Sequence, residues 1–240
     1  MVFDAGGGFW LVHSVPRFPF ARNSSEPYTY PAYAKSYGQS FICLSLSAGN
    51  IETVAEGLLL SKPYVYDSNL PAALTRTFPR VNSVLQRDFI TREEGKNISI
   101  IHTAGGQQFT FFAKNEKWGK DLWSELVAPK LKTSLLIETW MNGATSNKMP
   151  SFCKPAHPYD NINVRFITVN GDVSWSETKD HSKLIGRGRQ WAIADSSGSG
   201  YFCVGDINRQ FSQANRGGGA VHHPPPSPSP SFPLLQYSPS

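Results

Sequence analysis

The sequence predicts one globular domain of the mixed α/β (α+β) class, and three observations support this prediction. Apolar runs with the length and alternation of β-strands occur from the N-terminal region to about residue 204. Two segments instead carry apolar residues at helical spacing, and they lie between the strand-like runs. With 240 residues and 40% hydrophobic composition, the chain is long enough to bury a sizeable core.

The first half of the chain predicts four strands and one helix. Residues 9–12 (FWLV) and 41–44 (FICL) are short apolar runs typical of buried strands. Residues 51–60 place valine, alanine and leucine side chains on one side of a helix. Residues 98–101 and 109–112 are also strand-like, and the Ala-Gly-Gly-Gln stretch between them predicts a hairpin.

The second half predicts one helix and three strands. The apolar spacing over residues 120–127 is helical, and a leucine and a tryptophan would face the core. Residues 135–137, 164–169 and 201–204 are strand-like. Helices and strands therefore interleave along the chain, which favours a mixed α/β architecture over an all-β one.

The composition changes abruptly at His222, where the sequence becomes HHPPPSPSPSFPLLQYSPS. Proline lacks the N–H that a sheet or a helix interior needs, and a proline and serine-rich run cannot bury enough apolar surface to fold. We therefore expect a folded domain over residues 1–221 and a disordered or extended tail over 222–240 that joins no sheet.

Charge and cysteine content limit the classes of function. Lysine and arginine exceed aspartate and glutamate by 23 to 18, which favours polyanionic partners such as nucleic acids. No apolar run of 18 residues occurs, so no membrane partner is expected, and the first residues lack the pattern of a signal peptide. The 3 cysteines cannot all pair with one another, and none lies in a zinc-binding array.

The strongest candidate for chemistry is the H-x-K stretch His181-Ser182-Lys183. In an extended segment, residues two apart point to the same side, which would bring an imidazole and an ammonium into one pocket. Such a pair suits a phosphodiester, because imidazole attacks phosphorus or protonates a leaving oxygen while the ammonium stabilises the phosphate charge. An isolated H-x-K is more often an ordinary polar loop, so neighbouring segments decide between the two interpretations.

Two further segments favour the phosphodiester interpretation. Gly205-Asp206-Ile207-Asn208 follows the last predicted strand and supplies a carboxylate and an amide. His13 follows the first strand, and a two-step phosphoryl transfer needs two histidines, one covalently modified and one that gives and recovers a proton. Asp206 and Asp180 are candidates to orient an imidazole ring. No spacing of carboxylates predicts a magnesium site, so we expect metal-independent chemistry and no cofactor.

Several stretches of the chain, taken in order, resemble the deoxyribonuclease II family. They are GGFWLVHSVPRFP near the start, YGQSFIC at 37–43, DHSK at 180–183, CVGDINR at 203–209 and RGGG at 216–219. The match spans most of residues 3–220, and the first stretch is highly specific to the family. The stretch KLKTSLLIETW at 130–140 is closer to the beta branch of the family than to the alpha branch.

The resemblance implies a phospholipase D-like fold, with two pseudo-symmetric αβα halves and the active site between them. It also implies an acid endonuclease of lysosomes that hydrolyses DNA to 3′-phosphate products through a phosphohistidine-type mechanism without metal. On this resemblance His181, Lys183 and His13 are catalytic, whereas Asn208 and Asp206 bind the DNA substrate. Residues 8–14 and 200–206 also resemble each other, as expected for a duplicated fold or for two similar buried strands.

Three departures from the family pattern bear on activity. The family's first H-x-K lies just upstream of the strand that begins here at Met1, so we expect a truncated first half and a weakly active or inactive chain. The family sequence DHSKW is interrupted here by residues 184–190, which we interpret as an insertion. After RGGG the family continues into a cysteine-bearing helix, whereas this chain enters its proline-rich tail, so we expect it to be incomplete at both ends.

Two other functions stay open at this point. The first is a non-catalytic homologue that binds nucleic acid through a basic groove. The second is a secreted structural or toxin-like protein in which His181 is incidental and the sequons at Asn23 and Asn97 carry glycans. The sequence does not predict an oligomeric state.

Overall fold

The computed structural model describes residues 1–21, 23–169, 173–186, 202–224 and 235–239. Within these ranges the strands are β1 (Val2–Phe3), β2 (Gly7–His13), β3 (Phe41–Ser47), β4 (Lys96–His102), β5 (Gln108–Lys114), β6 (Leu135–Thr139), β7 (Asn161–Val169), β8 (Val173–Ser176), β9 (Lys183–Gly186), β10 (Phe202–Gly205), β11 (Gly218–His223) and β12 (Leu235–Pro239). The helices are α1 (Ala48–Ser61), α2 (Ala72–Thr75), α3 (Pro79–Gln86), α4 (Ala128–Leu131) and α5 (Phe211–Ala214). The predicted mixed α/β class is confirmed, because helices and strands interleave along the chain.

The described strands form two sheets. The small sheet has the order β1-β2-β3, and the large one has the order β12-β7-β6-β9-β10-β11-β5-β4, with β8 paired to β7. Strands β6 and β7 are parallel, whereas β9, β10, β11, β5 and β4 pair antiparallel in turn. The backbone N–H of Ala104 donates to the carbonyl of Ser45 over 2.8 Å, so the two sheets touch beside β3.

The predicted hairpin and the first predicted helix are both confirmed, and they pack together. Strands β4 and β5 pair in register around the Ala-Gly-Gly-Gln turn, where Gly106 adopts a φ of 83° that favours glycine. Helix α1 buries Ile51, Val54 and Leu60 against these strands. A Cβ at Gly57 would lie 2.2 Å from the ring of Phe111, so a glycine at this position lets the helix approach the sheet closely.

The second predicted helix is present, but it is wider than an α-helix for one turn. Residues Trp123–Val127 are π-helical and lead directly into α4. Pro129 follows in the first turn of α4 and has no N–H to donate to the preceding turn, which favours the local change in hydrogen bonding. Trp123 is fully buried in a core between this helix and the large sheet, and its Nε1 donates to the carbonyl of Ile207 over 3.0 Å.

The structure corrects the expected tail in two places. His222 and His223 are the last residues of β11, paired with β10, so the folded part extends past residue 221. Leu235–Pro239 forms β12 against β7, whereas we expected no sheet pairing in this region. The run Leu235-Gln236-Tyr237 contains no proline and keeps its N–H donors, and Pro239 stands at the strand end, where a missing donor is tolerated.

Other expectations about organisation meet the structure only in part. Residues 184–186 of the interpreted insertion belong to β9, paired between β6 and β10, whereas residues 187–190 and Trp191 lie outside the described residues. The mutually similar segments end in different sheets, since β2 belongs to the small sheet and β10 to the large one, and residues 200 and 201 are not described. The three cysteines are free, and no helix of the described ranges is both long and apolar enough to cross a membrane.

Candidate active site

The residues predicted to carry chemistry line one cavity of about 320 Å³. The small sheet contributes His13 from the end of β2, and the large sheet contributes the others. His181 and Lys183 lie at the start of β9, and Asp206 and Asn208 follow β10. The remaining lining residues are Ser14, Pro16, Trp140, Gly205 and Arg216.

The turn that carries Asp206 and Asn208 is held from below and from the side. Besides the Trp123 bond to its backbone, a Cβ at Gly205 would lie 2.6 Å from the Trp123 ring, so this strand end approaches the buried tryptophan closely. On the side, Oδ1 of Asp206 accepts a hydrogen bond from the Gly219 N–H over 2.7 Å. Asn208 is almost fully buried at the cavity wall. The amide and the carboxyl are therefore presented by a rigid turn.

The turn is also anchored by the residue that follows Asn208. Arg209 is completely buried, and its guanidinium lies 3.6 Å from the carboxylate of Asp121. Its backbone N–H donates to Oγ1 of Thr139 at the end of β6 over 3.1 Å. This hydrogen bond ties the turn after β10 to the end of β6 in the same sheet.

The imidazole of His181 is enclosed by aromatic rings. Tyr37 stacks on it with ring centroids 4.2 Å apart and an interplanar angle of 10°. Trp140 meets it edge-on at 5.1 Å. The backbone holds the same arrangement, because the His181 N–H donates to the Gly38 carbonyl over 2.9 Å and the Gly38 N–H donates to the carbonyl of Lys179. The ring plane is therefore fixed by residues from two distant parts of the chain.

The His181 ring is oriented by an amide, and the expectation for Asp180 is wrong. Nε2 of Gln39 lies 3.2 Å from Nδ1 of His181, and Oε1 of Gln39 accepts from the Ser14 hydroxyl over 2.7 Å. Asp180 is buried and accepts instead from the indole N–H of Trp175 and from the N–H and hydroxyl of Ser182. Because these donors occupy the carboxylate, it shapes the loop rather than the imidazole.

Lys183 lies beside His181, as expected for residues two apart in an extended segment. Its Nζ donates to the His181 carbonyl over 2.5 Å. Ser182 between them points the other way, and its Oγ lies 3.0 Å from Oε2 of the buried Glu138. Burial lowers the pKa of Lys183, and the carboxyl groups of Glu138 and Asp206 oppose this shift.

The site disfavours extra charge on its imidazoles and its carboxyl. Burial, together with the ammonium of Lys183, lowers the pKa of His181. Nearby protein atoms partly desolvate the His13 ring and lower its pKa, although the side chain as a whole stays exposed. Surrounding protein atoms raise the pKa of Asp206, although its carboxyl still reaches solvent through the cavity, and the hydrogen bond from Gly219 and the cation of Arg216 oppose the shift.

His13 occupies the open side of the cavity. It is exposed, and its ring stacks on that of Phe41 with centroids 5.9 Å apart. It also borders a second cavity of about 370 Å³ that is lined by Phe18, Phe20 and Tyr28 among others. Among the described residues, no group of three or more histidine, cysteine, aspartate or glutamate side chains is placed to hold a metal ion.

Sequence reasoning missed three polar residues of this site, of which Arg216 and Ser14 line the cavity and Gln39 contacts His181. Arg216 belongs to RGGG, Gln39 to YGQSFIC and Ser14 to GGFWLVHSVPRFP, yet none of them had been assigned a role. A signal was available, because each lies within two residues of a strand or next to a residue already considered. Their roles depend on contacts between segments far apart in the chain, which spacing alone does not give.

Comparison with known proteins identifies the family. The model of the family described as deoxyribonuclease II matches residues 1–226. The chain belongs to the deoxyribonuclease II family. It is 36% identical over 221 residues to Plancitoxin-1 of Acanthaster planci and 34% identical over 224 residues to Cell death-related nuclease 6 of Caenorhabditis elegans. It is 34% identical over 221 residues to Deoxyribonuclease-2-alpha of Mus musculus.

The deoxyribonuclease II relatives are longer than this chain. The three alignments each cover 92% of this chain but only 58%, 57% and 59% of the relative, in the same order. The chain therefore spans less than two thirds of the length of these curated relatives. Deoxyribonuclease-2-beta of Homo sapiens is 32% identical over 215 residues, close to the value for the mouse alpha protein, so the beta-branch resemblance stays a prediction.

Proposed function

We propose that this deoxyribonuclease II family member hydrolyses phosphodiester bonds of DNA in an acidic compartment, and that the 320 Å³ cavity is its active site. The observation that carries the proposal is the convergence of two imidazoles, an ammonium, a guanidinium and an amide on that one cavity. Cations and amide donors stabilise the equatorial oxygens of a phosphate, and imidazoles supply the nucleophile and the proton donor. The lysosome, where the family resemblance locates it, provides the acidity.

The reaction would run in two steps through a phosphohistidine. In the first, Nε2 of one imidazole attacks phosphorus, a P–N bond forms, and the P–O bond to the 5′ oxygen breaks as the other imidazolium gives that oxygen a proton. In the second, water attacks phosphorus, its proton goes to the second imidazole, and the P–N bond breaks. The products are a 3′-phosphate and a 5′-hydroxyl, and both histidines are restored. His181 and His13 are our candidates for the two rings.

Lys183 and Asn208 would hold the phosphate, with Arg216 at the rim. A guanidinium makes charge-assisted hydrogen bonds to phosphate oxygens, and an ammonium acts on them as a compact point charge. Asp206 lies beside them, and its raised pKa favours the neutral carboxyl in acid. A neutral carboxyl does not repel the phosphate and donates a hydrogen bond to it, so acidity assists binding as well as proton transfer.

We also propose a phospholipase D-like organisation, with the site between two pseudo-symmetric halves. The origin of the lining residues supports this, because His13 and its neighbours Ser14 and Pro16 lie at or just after the end of β2 in the small sheet, whereas the other lining residues belong to strands or turns of the large sheet. The 240-residue sequence contains a single H-x-K, at His181 and Lys183. Since the two-step reaction uses paired motifs in the family that the chain resembles, we expect this chain to cleave DNA weakly.

A plasmid-nicking assay with chelator present tests the proposal at about pH 5, below the ordinary pKa of histidine. We expect slow nicking by the chain, and His181→Ala should reduce the rate by about 10²- to 10⁴-fold, the usual contribution of an acid–base group. His102→Ala is the matched control, because His102 is exposed on β4 away from the cavity, and it should nick like the parent.

Three outcomes would contradict this function. Equal nicking by the parent and His181→Ala would remove His181 from the chemistry. Retarded DNA migration without any nicking would favour the non-catalytic nucleic-acid-binding homologue. An absence of salt-sensitive DNA affinity would count against both, since phosphate contacts weaken steeply as salt is added.

A further inference from the structure

We infer that Gln39 is a positioning residue for His181. The side-chain amide of Gln39 hydrogen-bonds to Nδ1 of His181, which leaves Nε2 as the reacting nitrogen. When the imidazole gains its proton, this amide flips and presents its oxygen to Nδ1 instead of its NH₂. This role rests on the proposed function, because it concerns a reacting imidazole. The contact is direct, with 3.2 Å between Nε2 of Gln39 and Nδ1 of His181. The far side of the same amide is held by Ser14, whose hydroxyl donates to Oε1 over 2.7 Å.

Gln39 supplies the one restraint on the ring that its stacking partners do not. Tyr37 lies flat against the imidazole and fixes its plane, but stacking is equally compatible with a half-turn flip about the Cβ–Cγ bond, which exchanges Nδ1 and Cδ2. A hydrogen bond at Nδ1 selects one of these two orientations. The backbone between the two residues pairs with the His181 loop through Gly38, so the stacking ring and the amide come from one short stretch. The stretch 37–40 therefore forms a cradle for the imidazole.

The orientation of the amide decides which nitrogen carries the proton. With the Gln39 NH₂ facing Nδ1, the neutral imidazole must accept at Nδ1 and keep its hydrogen on Nε2. That tautomer has no lone pair on Nε2, so it neither attacks phosphorus nor takes a proton there. Either catalytic role needs the hydrogen on Nδ1, facing an acceptor. The Gln39 Oε1 is the acceptor that a simple turn of the amide would bring there.

Ser14 makes that turn feasible without losing a hydrogen bond. A hydroxyl has one donor and two acceptor sites, and its hydrogen rotates to suit its partners. In the arrangement described, Ser14 Oγ accepts from the Ser40 N–H over 2.9 Å and donates to Gln39. After the turn it would accept from the Gln39 NH₂ as well, and its own hydrogen would face the cavity that Ser14 lines. Both protonation states of the ring are thereby satisfied.

The surroundings place this exchange under the control of pH. Lys183 beside the ring opposes its protonation, and the guanidinium of Arg216 lines the same cavity. Asp180 in the adjoining backbone favours protonation, and Asp206 lies on the opposite wall. Other titratable groups on the surrounding elements are His13 in the cavity, Tyr37 on the ring face, and Glu138 behind Lys183. Acid would therefore move the amide into its catalytic orientation.

Gln39→Glu tests the role directly, because a carboxylate can only accept from Nδ1–H. In ¹⁵N spectra of the imidazole, the parent should show neutral His181 with its hydrogen on Nε2, and Gln39→Glu should move that hydrogen to Nδ1. The carboxylate should also raise the pKa of His181 by about one to three pH units. The alkaline limit of DNA nicking should then move upward by the same amount.

Three further variants complete this experiment, one as a control and two as additional tests. Gln107→Glu is the matched control, since it places the same change on an exposed turn and should leave His181 unchanged. Ser14→Ala should leave the amide orientation unselected and give a mixture of both tautomers. Gln39→Met keeps the length without a polar group and should lower nicking by about tenfold or more, as expected when a positioned group loses its geometry. Thermal melting of each variant separates this effect from misfolding.

The outcomes distinguish this role from the proposed function. A parent with neutral His181 protonated on Nδ1, or a Gln39→Glu spectrum identical to that of Gln107→Glu, would overturn the role of Gln39 even if the chain nicks DNA. The expected tautomers in a chain that never nicks DNA would keep the role of Gln39 at His181 and overturn only the nuclease function.

Discussion

The two histidines of the cavity are held very differently. His181 lies in the 37–40 cradle, stacked at 4.2 Å on Tyr37 and bonded through Nδ1 to Gln39. His13 stands at the end of β2, exposed, with a looser stack at 5.9 Å on Phe41. The imidazole of His181 is therefore fixed before a substrate binds, whereas the less restrained imidazole of His13 can adjust to the substrate. A group that is already in place needs no reorganisation during the reaction, so we expect catalysis to depend more on His181 than on His13.

Removing the two imidazoles separately and together is the strongest way to break this contrast. His181→Ala should lower the nicking rate by about 10²- to 10⁴-fold and His13→Ala by less. The double variant should be no slower than His181→Ala alone, since groups that act in one reaction are not additive. Rates that multiply would mean that the two rings act independently, and a larger loss for His13→Ala would reverse the comparison.

Gly38→Ala attacks the cradle without touching an imidazole. A Cβ at this position would lie 2.6 Å from Nε1 of Trp175 and 2.8 Å from Oδ1 of Asp180, so the two loops must separate. Overpacking of this kind costs about 1–3 kcal/mol of folding free energy, measured by denaturant titration. Nicking should fall with it, because the loop that carries His181 moves.

The matched control for this substitution is Gly49→Ala in helix α1, where a Cβ meets nothing within 4 Å. It should be neutral or slightly stabilising, since alanine favours helix over glycine. If Gly38→Ala were as mild as Gly49→Ala in both stability and nicking, the cradle would not be what fixes His181.

The sequence predicted β2 and β10, which carry part of the site, because their apolar runs are strong local signals, but it did not predict β9. His13 and Asn208 were located by their position after predicted strands and His181 by its H-x-K spacing, and the structure brings all three to one cavity. The orienting partner was mistaken, however, because Asp180 is adjacent in sequence while Gln39 lies 142 residues from His181. Local pattern cannot reveal a contact that only the sheet arrangement creates.

The tail shows a second limit of sequence reasoning. Proline and serine content correctly signals poor packing on average, yet strand pairing requires only a few consecutive residues with free N–H groups. His222 and His223 extend β11 because the strand on either side already offers partners. A neighbouring edge overrides a change in composition, and the sequence does not indicate where such an edge lies.

Glu138→Gln should sharpen the contrast through the buried support of the His181 loop. Burial raises the pKa of Glu138 well above its ordinary value of 4.5. Between that value and the folded pKa the folded state binds more protons than the unfolded chain, so the stability of the parent falls as pH rises. The amide of the variant would not titrate, and it could still form a hydrogen bond with the Ser182 hydroxyl. The melting temperature of the variant, relative to the parent, should therefore increase by several degrees from about pH 4.5 to 7.5.

The histidines with lowered pKa values do not contribute to the difference in melting temperature between Glu138→Gln and the parent. Protonation of these four residues, His13, His181, His222 and His223, lowers the stability of the fold as pH falls, and it does so equally in the parent and in the variant. Glu125→Gln, on an exposed face of the π-helical turn, is the control and should follow the parent at every pH. A constant offset between Glu138→Gln and the parent would show that the buried carboxyl does not titrate with folding.

The smallest expected effect compares the two stacking partners. Tyr37→Leu removes a parallel stack at 4.2 Å from the enclosed His181, whereas Phe41→Leu removes one at 5.9 Å from the exposed His13. Aromatic pairs are worth about 0.5–1.5 kcal/mol beyond their buried area, and the closer, better shielded pair should lie at the upper end. Nicking should therefore fall by about tenfold for Tyr37→Leu and by about twofold for Phe41→Leu. Equal losses would mean that the imidazoles of His181 and His13 are held equally firmly, and that the side of the cavity at His13 is as ordered in solution as the 37–40 cradle.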